Sequence, residues 1–313
     1  MKLLKAPKLR RGDVIAIIAP ASAPSASEKI EKGVRYFEQL GYRVKLGTHV
    51  HAQHGHLAGT DEQRLNDLNT MLRDPQVKAI FAVRGGYGTP RLLPFVDYKA
   101  IRQQPKIIVG YSDITGLQLA IFRKTGLVTF SGPMSGVEFW KKPDPYTEEH
   151  FWRLVTSTKK PGKLPQPAKE PSKKRISGRA EGPLLGGNLS LIISNLGTPF
   201  SPSYKNAILA LEEISEEPYR ADRMLIHLRN AGILSQINGL LLGHFTDCKP
   251  SDPKKPHLTM PQVFDETLQD ARVPTLERFQ YGHIARKLTL PLGVHTRLDA
   301  DALSVELMES AVV

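Results

Sequence analysis

The sequence predicts two α/β domains, the first built on a mostly parallel sheet. Three observations carry this. In the first half, short continuous apolar runs alternate with stretches of helical period. Those runs read as strands buried on both faces, the mark of a sheet covered by helices. A stretch rich in Lys, Pro and Ser then loses all periodicity, and mixed strand and helix signals resume beyond it.

Taken in order, residues 14–19 form an apolar run ended by Pro20, which suits a buried strand. Residues 27–40 read as a helix, with Ser27 in the N-cap position and Gly41 just past its end. Residues 43–46 fit a second strand. Thr60 and Asp61 open a helix that runs through Arg64, Leu65, Leu68 and Leu72. Residues 77–83 are a further apolar strand running into Arg84-Gly85-Gly86-Tyr87-Gly88. Residues 107–109 are another, followed at once by Gly110-Tyr111-Ser112-Asp113 and a helical pattern at Ile114, Leu117 and Ile121. Residues 157–177 are expected to be a linker, dividing a domain at 1–156 from one at 178–313. In the latter, 207–211, 237–245 and 302–307 read as strands. Pro218 suits the first position of a helix that reaches Asn230 and stops at Gly232. No internal repeat of fixed period is present.

A chain of 313 residues is long enough for two hydrophobic cores. With 40% hydrophobic and 24% charged residues it is neither disordered nor fibrous. Lys and Arg number 43 against 31 Asp and Glu, a net charge of +12. Much of that excess falls in Pro-interrupted stretches such as Lys159-Lys160, Lys173-Lys174-Arg175 and Lys254-Lys255. No zinc-finger spacing, RNP-like run or basic heptad accompanies it, so a solvated basic surface is expected and no nucleic acid. Cys248 is the single cysteine, which rules out an internal disulfide and Cys₂ or Cys₄ metal sites. Residues 1–13 lack the apolar core of a secretory signal, and nowhere do 18 apolar residues run together. The expectation is a cytoplasmic protein with no membrane contact.

Ser112 is the first candidate for chemistry. A buried strand, a tight turn and an immediate helix place it at the carboxyl edge of the sheet, where open α/β folds bind ligands. The next amide, on Asp113, lies at a helix N-terminus and is a natural donor to a developing oxyanion. Serine is also a favoured N-cap, so capping explains the same residue. The turn departs from G-x-S-x-G, because Ile114 occupies the second Gly position. The glycines of residues 84–88 let the main chain approach a ligand, although neither G-x-G-x-x-G nor a Walker pattern is present. Glu212 and Glu213 end a strand, where alternation sends them to opposite faces and solvation is their usual fate. His283 follows Gly282; a lone histidine is commonly a surface or hydrogen-bonded residue. Together, however, hydroxyl, carboxylate and imidazole are the three groups a catalytic triad needs. His49, His51, His54 and His56 form a tract of metal-binding type. No carboxylate falls among them before Asp61, so no metal is expected.

The joint pattern resembles the LD-carboxypeptidases of serine-peptidase family S66, the murein tetrapeptide carboxypeptidases and their microcin-immunity relatives. The likeness runs from Gly12-Asp13-Val14-Ile15-Ala16 through Gly59-Thr60-Asp61, Arg84-Gly85-Gly86-Tyr87-Gly88 and Gly110-Tyr111-Ser112-Asp113. It continues in Gly186-Gly187-Asn188-Leu189-Ser190, Leu211-Glu212-Glu213, Glu217-Pro218-Tyr219-Arg220 and Gly282-His283. The resemblance implies Ser112 as nucleophile, Glu212 as orienting acid, His283 as general base, and the amides of Gly86 and Asp113 as oxyanion donors. It implies a flavodoxin-like, or class I glutamine-amidotransferase-like, N-terminal domain with a swivelling-type C-terminal domain, commonly as a homodimer. The implied activity is cofactor-free release of terminal D-alanine from murein tetrapeptide, a small peptide substrate, during cell-wall recycling. Two alternatives stand beside it: an immunity-type peptidase or amidase acting on a peptide–nucleotide toxin, and a binding protein without turnover. Arg84, Tyr87 and Arg220 are candidate substrate contacts, since guanidinium groups grip carboxylates bidentately. Arg220 and Arg223 are equally suited to pairing with Glu216, Glu217 or Asp222 along their helix.

Overall fold

The structure is a computed structural model and describes residues 2–167, 170–269 and 271–313. The first half supplies strands β1 (Val14–Ile18), β2 (Arg43–Leu46), β3 (Val77–Ala82), β4 (Ile107–Gly110) and β5 (Thr129–Ser131), and helices α1 (Glu28–Gln39), α2 (Asp61–Arg73), α3 (Tyr98–Gln103), α4 (Ile114–Thr125) and α5 (Pro145–Thr156). The second half supplies β6 (Gly162–Lys163), β7 (Lys173–Ile176), β8 (Arg179–Asn188), β9 (Ile208–Ile214), β10 (Gly239–Thr246), β11 (Thr275–Glu277), β12 (Leu290–Leu292), β13 (His295–Asp299) and β14 (Ser304–Leu307). Its helices are α6 (Leu189–Asn195), α7 (Pro218–Asn230) and α8 (Met260–Thr267).

These strands form two sheets. One has the order β12-β5-β4-β3-β1-β2, all its neighbours parallel except β12 on β5. The period-two geometry of β1 shows why both faces must be covered. Ile15 and Ile17 join the core with Ile30 and Phe37 of α1, whereas Val14, Ala16 and Ile18 join the one with Leu68 and Leu72 of α2 and Leu117 and Ile121 of α4. Each such aliphatic side chain, taken out of water, contributes about 1.5–3 kcal/mol. The other sheet is mixed, in the order β6-β14-β13-β8-β9-β10-β11-β7, with β8 to β11 running parallel.

The stretch where periodicity lapses is not an unstructured linker. The segment expected to be a linker contributes β6 and β7, the outermost strands at opposite ends of the eight-stranded sheet. Such edge strands are short, half-solvated and Lys-bearing, so they carry no apolar alternation to read. Residues 168 and 169 of that segment, and residue 1 of the expected first domain, lie outside the described residues. Strand β12 crosses back from the second half to pair with β5, and Val313 exchanges main-chain bonds with Ala6 and Lys8. Strand β9 is longer than expected. It runs to Ile214, so Glu212 and Glu213 sit within a buried strand instead of at its solvated end.

Candidate active site

Gln118, from the first turns of α4, closes the end of β4 by donating to the carbonyls of Gly110 and Phe130. The chain must then turn sharply, and Ser112 takes a left-handed backbone, φ 63°. A serine gains nothing locally from that conformation, so the surrounding structure holds it there. Asp113 occupies the N-cap position of α4, so Ser112 is not the helix cap. Its neighbour Tyr111 is buried and anchors the turn, donating to Glu138 Oε1 at 2.9 Å.

The loop leaving β3 is packed directly on this turn. A Cβ on Gly85 would lie 2.7 Å from Ser112 Cβ and 2.9 Å from its Oγ, so only glycine fits. Gly86 follows with φ 109°. Gly88 is held from both sides. Its amide donates to Asp113 Oδ1 at 3.2 Å, and its carbonyl accepts from Arg64 Nη1 at 3.0 Å. Both of these charged side chains are essentially buried, at 1% relative exposure each. Thr89 completes the join, its amide donating to Asp113 Oδ2 at 2.8 Å and its hydroxyl to the Asp113 carbonyl at 2.6 Å. Burial pushes the Asp113 carboxyl above the usual range, against the downward pull of the Thr89 and Gly88 amides. Arg64 also binds the Pro20 carbonyl and Asp61, and Asp61 pairs with Arg91. Among the described residues the amides of Gly86 and Asp113 donate to no protein acceptor.

From the other sheet, His283 Nδ1 lies 2.6 Å from Glu212 Oε2, and Glu212 is fully buried. An ionised carboxylate only accepts, so Nδ1 carries the proton in this bond and Nε2 is left as the basic nitrogen. Gly282, φ 122°, permits the approach: a Cβ there would come within 3.1 Å of Glu212. The second oxygen of Glu212 has no hydrogen-bond partner among the described residues. The His283 ring packs edge-on against Tyr111, centroids 5.0 Å apart. Lys287 Nζ lies 3.9 Å from the centre of that tyrosine ring and 2.6 Å from Glu138 Oε1. The imidazole thus stands against the residue that precedes Ser112; no hydrogen bond joins Ser112 to His283 among the described residues.

Glu213 points the other way. Its carboxylate accepts from Asn188 Nδ2, from the Ser190 amide and hydroxyl, and from the Ile214 amide. It therefore ties the N-terminus of α6 to β9. Burial raises its pKa, and those donors oppose the rise. Asn188 and Asn195 also bind α4, at Thr115 and Gly116, across the two sheets.

The remaining candidates are dispersed. Arg84 is half-buried and donates to the Ala23 carbonyl at 3.4 Å. Tyr87 is 48% exposed, its amide bound to Ser22 Oγ and its ring 5.5 Å from His56. Arg220 is exposed on α7 beside the Tyr219 hydroxyl and 3.8 Å from Glu216, the pairing along the helix that its spacing allows. His49 pairs with Asp67. Among the described residues no three His, Cys, Asp or Glu side chains are grouped as a metal site. Sequence reasoning passed over Arg64, the Asp113 carboxylate, Tyr111, Glu138 and Lys287. Only Arg64 left a signal: it shares the helical stripe of Leu68 and Leu72, where a charge is out of place.

Two family models match this chain, the LD-carboxypeptidase N-terminal domain over residues 15–132 and the LD-carboxypeptidase C-terminal domain over residues 181–298. The chain is 40% identical over 292 residues to a probable murein peptide carboxypeptidase of Bacillus subtilis (strain 168), covering 93% of this chain and 90% of that protein. It is 33% identical over 296 residues to a murein tetrapeptide carboxypeptidase of Pseudomonas aeruginosa, covering 92% and 94%. The solved structure of MccF in complex with glutamyl sulfamoyl guanosine superposes with a TM-score of 0.90 at 28% identity, covering 99% of this chain and 100% of that one. With both halves matched in order and the relatives aligned nearly end to end, this chain belongs to the LD-carboxypeptidase family of serine peptidases, S66.

Proposed function

We propose that this chain is a serine carboxypeptidase that hydrolyses an LD peptide bond and releases terminal D-alanine from a murein tetrapeptide. The observation that carries the reading is the His283–Glu212 pair set against Tyr111, the residue beside the strained Ser112 turn. Ser112 Oγ attacks the carbonyl that precedes the terminal residue, and His283 Nε2 takes its proton. Glu212 holds the imidazole in the required tautomer and offsets the charge it acquires. The amides of Gly86 and Asp113 receive the oxyanion; losing one such donor costs about 2.7–4 kcal/mol in the barrier. His283 then protonates the departing amine, next takes a proton from the water that attacks the acyl-enzyme, and returns it to Ser112 Oγ as the ester bond breaks. Every step uses side chains and amides of this chain, so chelators are expected to leave turnover unchanged. The names of the murein relatives support the substrate class.

The test is mass spectrometry of a tetrapeptide digest. The wild type is expected to yield tripeptide and D-alanine, and Ser112→Ala to lose at least about 10³-fold in kcat. Unchanged hydrolysis by Ser112→Ala would sink the assignment. The likeness to MccF bound to glutamyl sulfamoyl guanosine favours a second reading, cleavage of a peptide–nucleotide toxin by the same residues. Comparing kcat/KM for the tetrapeptide and an aminoacyl-sulfamoyl nucleoside separates the two. A homodimer is further proposed, to be checked by light scattering.

A further inference from the structure

In the six-stranded sheet the chain leaves β1 toward β2 on one side, and leaves β3 toward β4 on the other. The crevice between the carboxyl ends of β1 and β3 is therefore the topological switch point, the place where open α/β sheets bind ligands. A recess of about 310 Å³ lies there. Lys29 reaches it from the start of α1, Arg84 from the end of β3, and Trp140 and Lys141 from the loop before α5. Among the described residues no Asp or Glu lines it. Its wall is fixed, because the Gly136 amide donates to the Val83 carbonyl at 2.9 Å. Lys29 Nζ stands 4.8 Å from the centre of the Trp140 ring, and Arg84 spends one N–H on the Ala23 carbonyl. Three cations in a concave site without a counter-charge concentrate anions. Lys287, the cation beside Tyr111, is paired with Glu138.

We infer that this recess is a carboxylate subsite, and that Arg84 grips the free terminal carboxylate of the residue to be released. The inference rests on the proposed function, since a carboxypeptidase cuts one residue from a free carboxylate. The recess opens beside the loop that carries Gly86, the proposed oxyanion donor. Arg84 is two residues away on the same loop, with a planar fork that matches a carboxylate. Lys141 and Lys29 complete the field.

The test is a cycle between protein and substrate. Hydrolysis of a tetrapeptide ending in free D-alanine, and of the same peptide as its terminal amide, is measured for the wild type and for Arg84→Gln. Arg84→Gln is expected to raise KM for the acid at least tenfold, yet to change kcat/KM for the amide less than twofold. Equal losses on both peptides, or none on the acid, would overturn the subsite. Lys141→Gln, at an exposed position, gives the same readout should Arg84→Gln not fold. Cleavage of neither peptide by the wild type counts against the proposed function instead. Calorimetric titration of the free-acid peptide into Ser112→Ala, and into Ser112→Ala with Arg84→Gln, still reads the subsite; equal Kd values overturn it.

Discussion

Two adjacent glutamates show how little a residue type says by itself. Glu212 and Glu213 are both buried, on opposite faces of β9, and face unlike partners. Glu212 holds an imidazole, so Glu212→Gln is expected to lower kcat about 10³-fold or more while leaving the denaturant midpoint close to wild type. Glu213 satisfies donors from Asn188, Ser190 and Ile214. Glu213→Ala strands those groups in the interior and should cost about 2–3 kcal/mol of stability by urea unfolding. The reverse pattern would exchange the two roles. Gly85 makes the same point without a side chain. Gly85→Ala drives a methyl into Ser112, and turnover should fall at least tenfold, measured as kcat on the tetrapeptide.

At the scale of the element, the segment that matters is the turn after β3, whose shape comes from charges outside it. Arg64 on α2 takes the carbonyl of Gly88, and Asp113 at the head of α4 takes its amide. The carboxylate that positions this loop thus belongs to the residue whose own amide is a proposed oxyanion donor. Arg64→Leu removes a buried cation, leaves the Pro20 carbonyl without a donor among the described residues, and leaves the Gly88 carbonyl only the Arg91 amide at 3.3 Å. A loss of about 3 kcal/mol is expected, with a fall in kcat for the folded fraction. Arg64→Lys, which keeps the charge but not the fork, should recover part of the stability and less of the rate.

Across the whole molecule, buried polar contacts tie the first half of the chain to the segment that returns into β12, and one of them responds to pH. His150 on α5 is buried, accepts from the Thr289 amide through Nδ1, and is held down to about 3 by burial. Its unfolded value is near 6.5, so between those values the unfolded chain binds a proton that the folded one refuses. Stability is therefore complete above pH 6.5 and falls as the pH drops toward 3, by at most ~1.4 kcal/mol per pH unit from this residue. His150→Gln should flatten the slope of stability against pH in that window by up to one proton; an unchanged slope would disprove it. Lys287 and Glu138 form the other cross-connection, with Tyr111 on Glu138 and Lys287 over its ring. Lys287→Met leaves Glu138 buried without its cation and should cost about 3–5 kcal/mol in the unfolding free energy.

What local sequence determined is what needs only nearest neighbours. The apolar run of β1, the opening of α2 at Thr60 and Asp61, and the Pro218 start and Gly232 stop of α7 were all legible, because caps and periodicity act over a few residues. Ser112, Glu212 and His283 were named in order, although their roles came from resemblance and not from spacing. The edge strands β6 and β7, the return of β12 to the first sheet and the burial of Glu212 were not legible, since each depends on a partner distant in the chain. The same holds for Gly88 between Arg64 and Asp113, and for the cations gathered between β1 and β3. A charge's environment is set by what folding packs around it, and only the tertiary structure decided that.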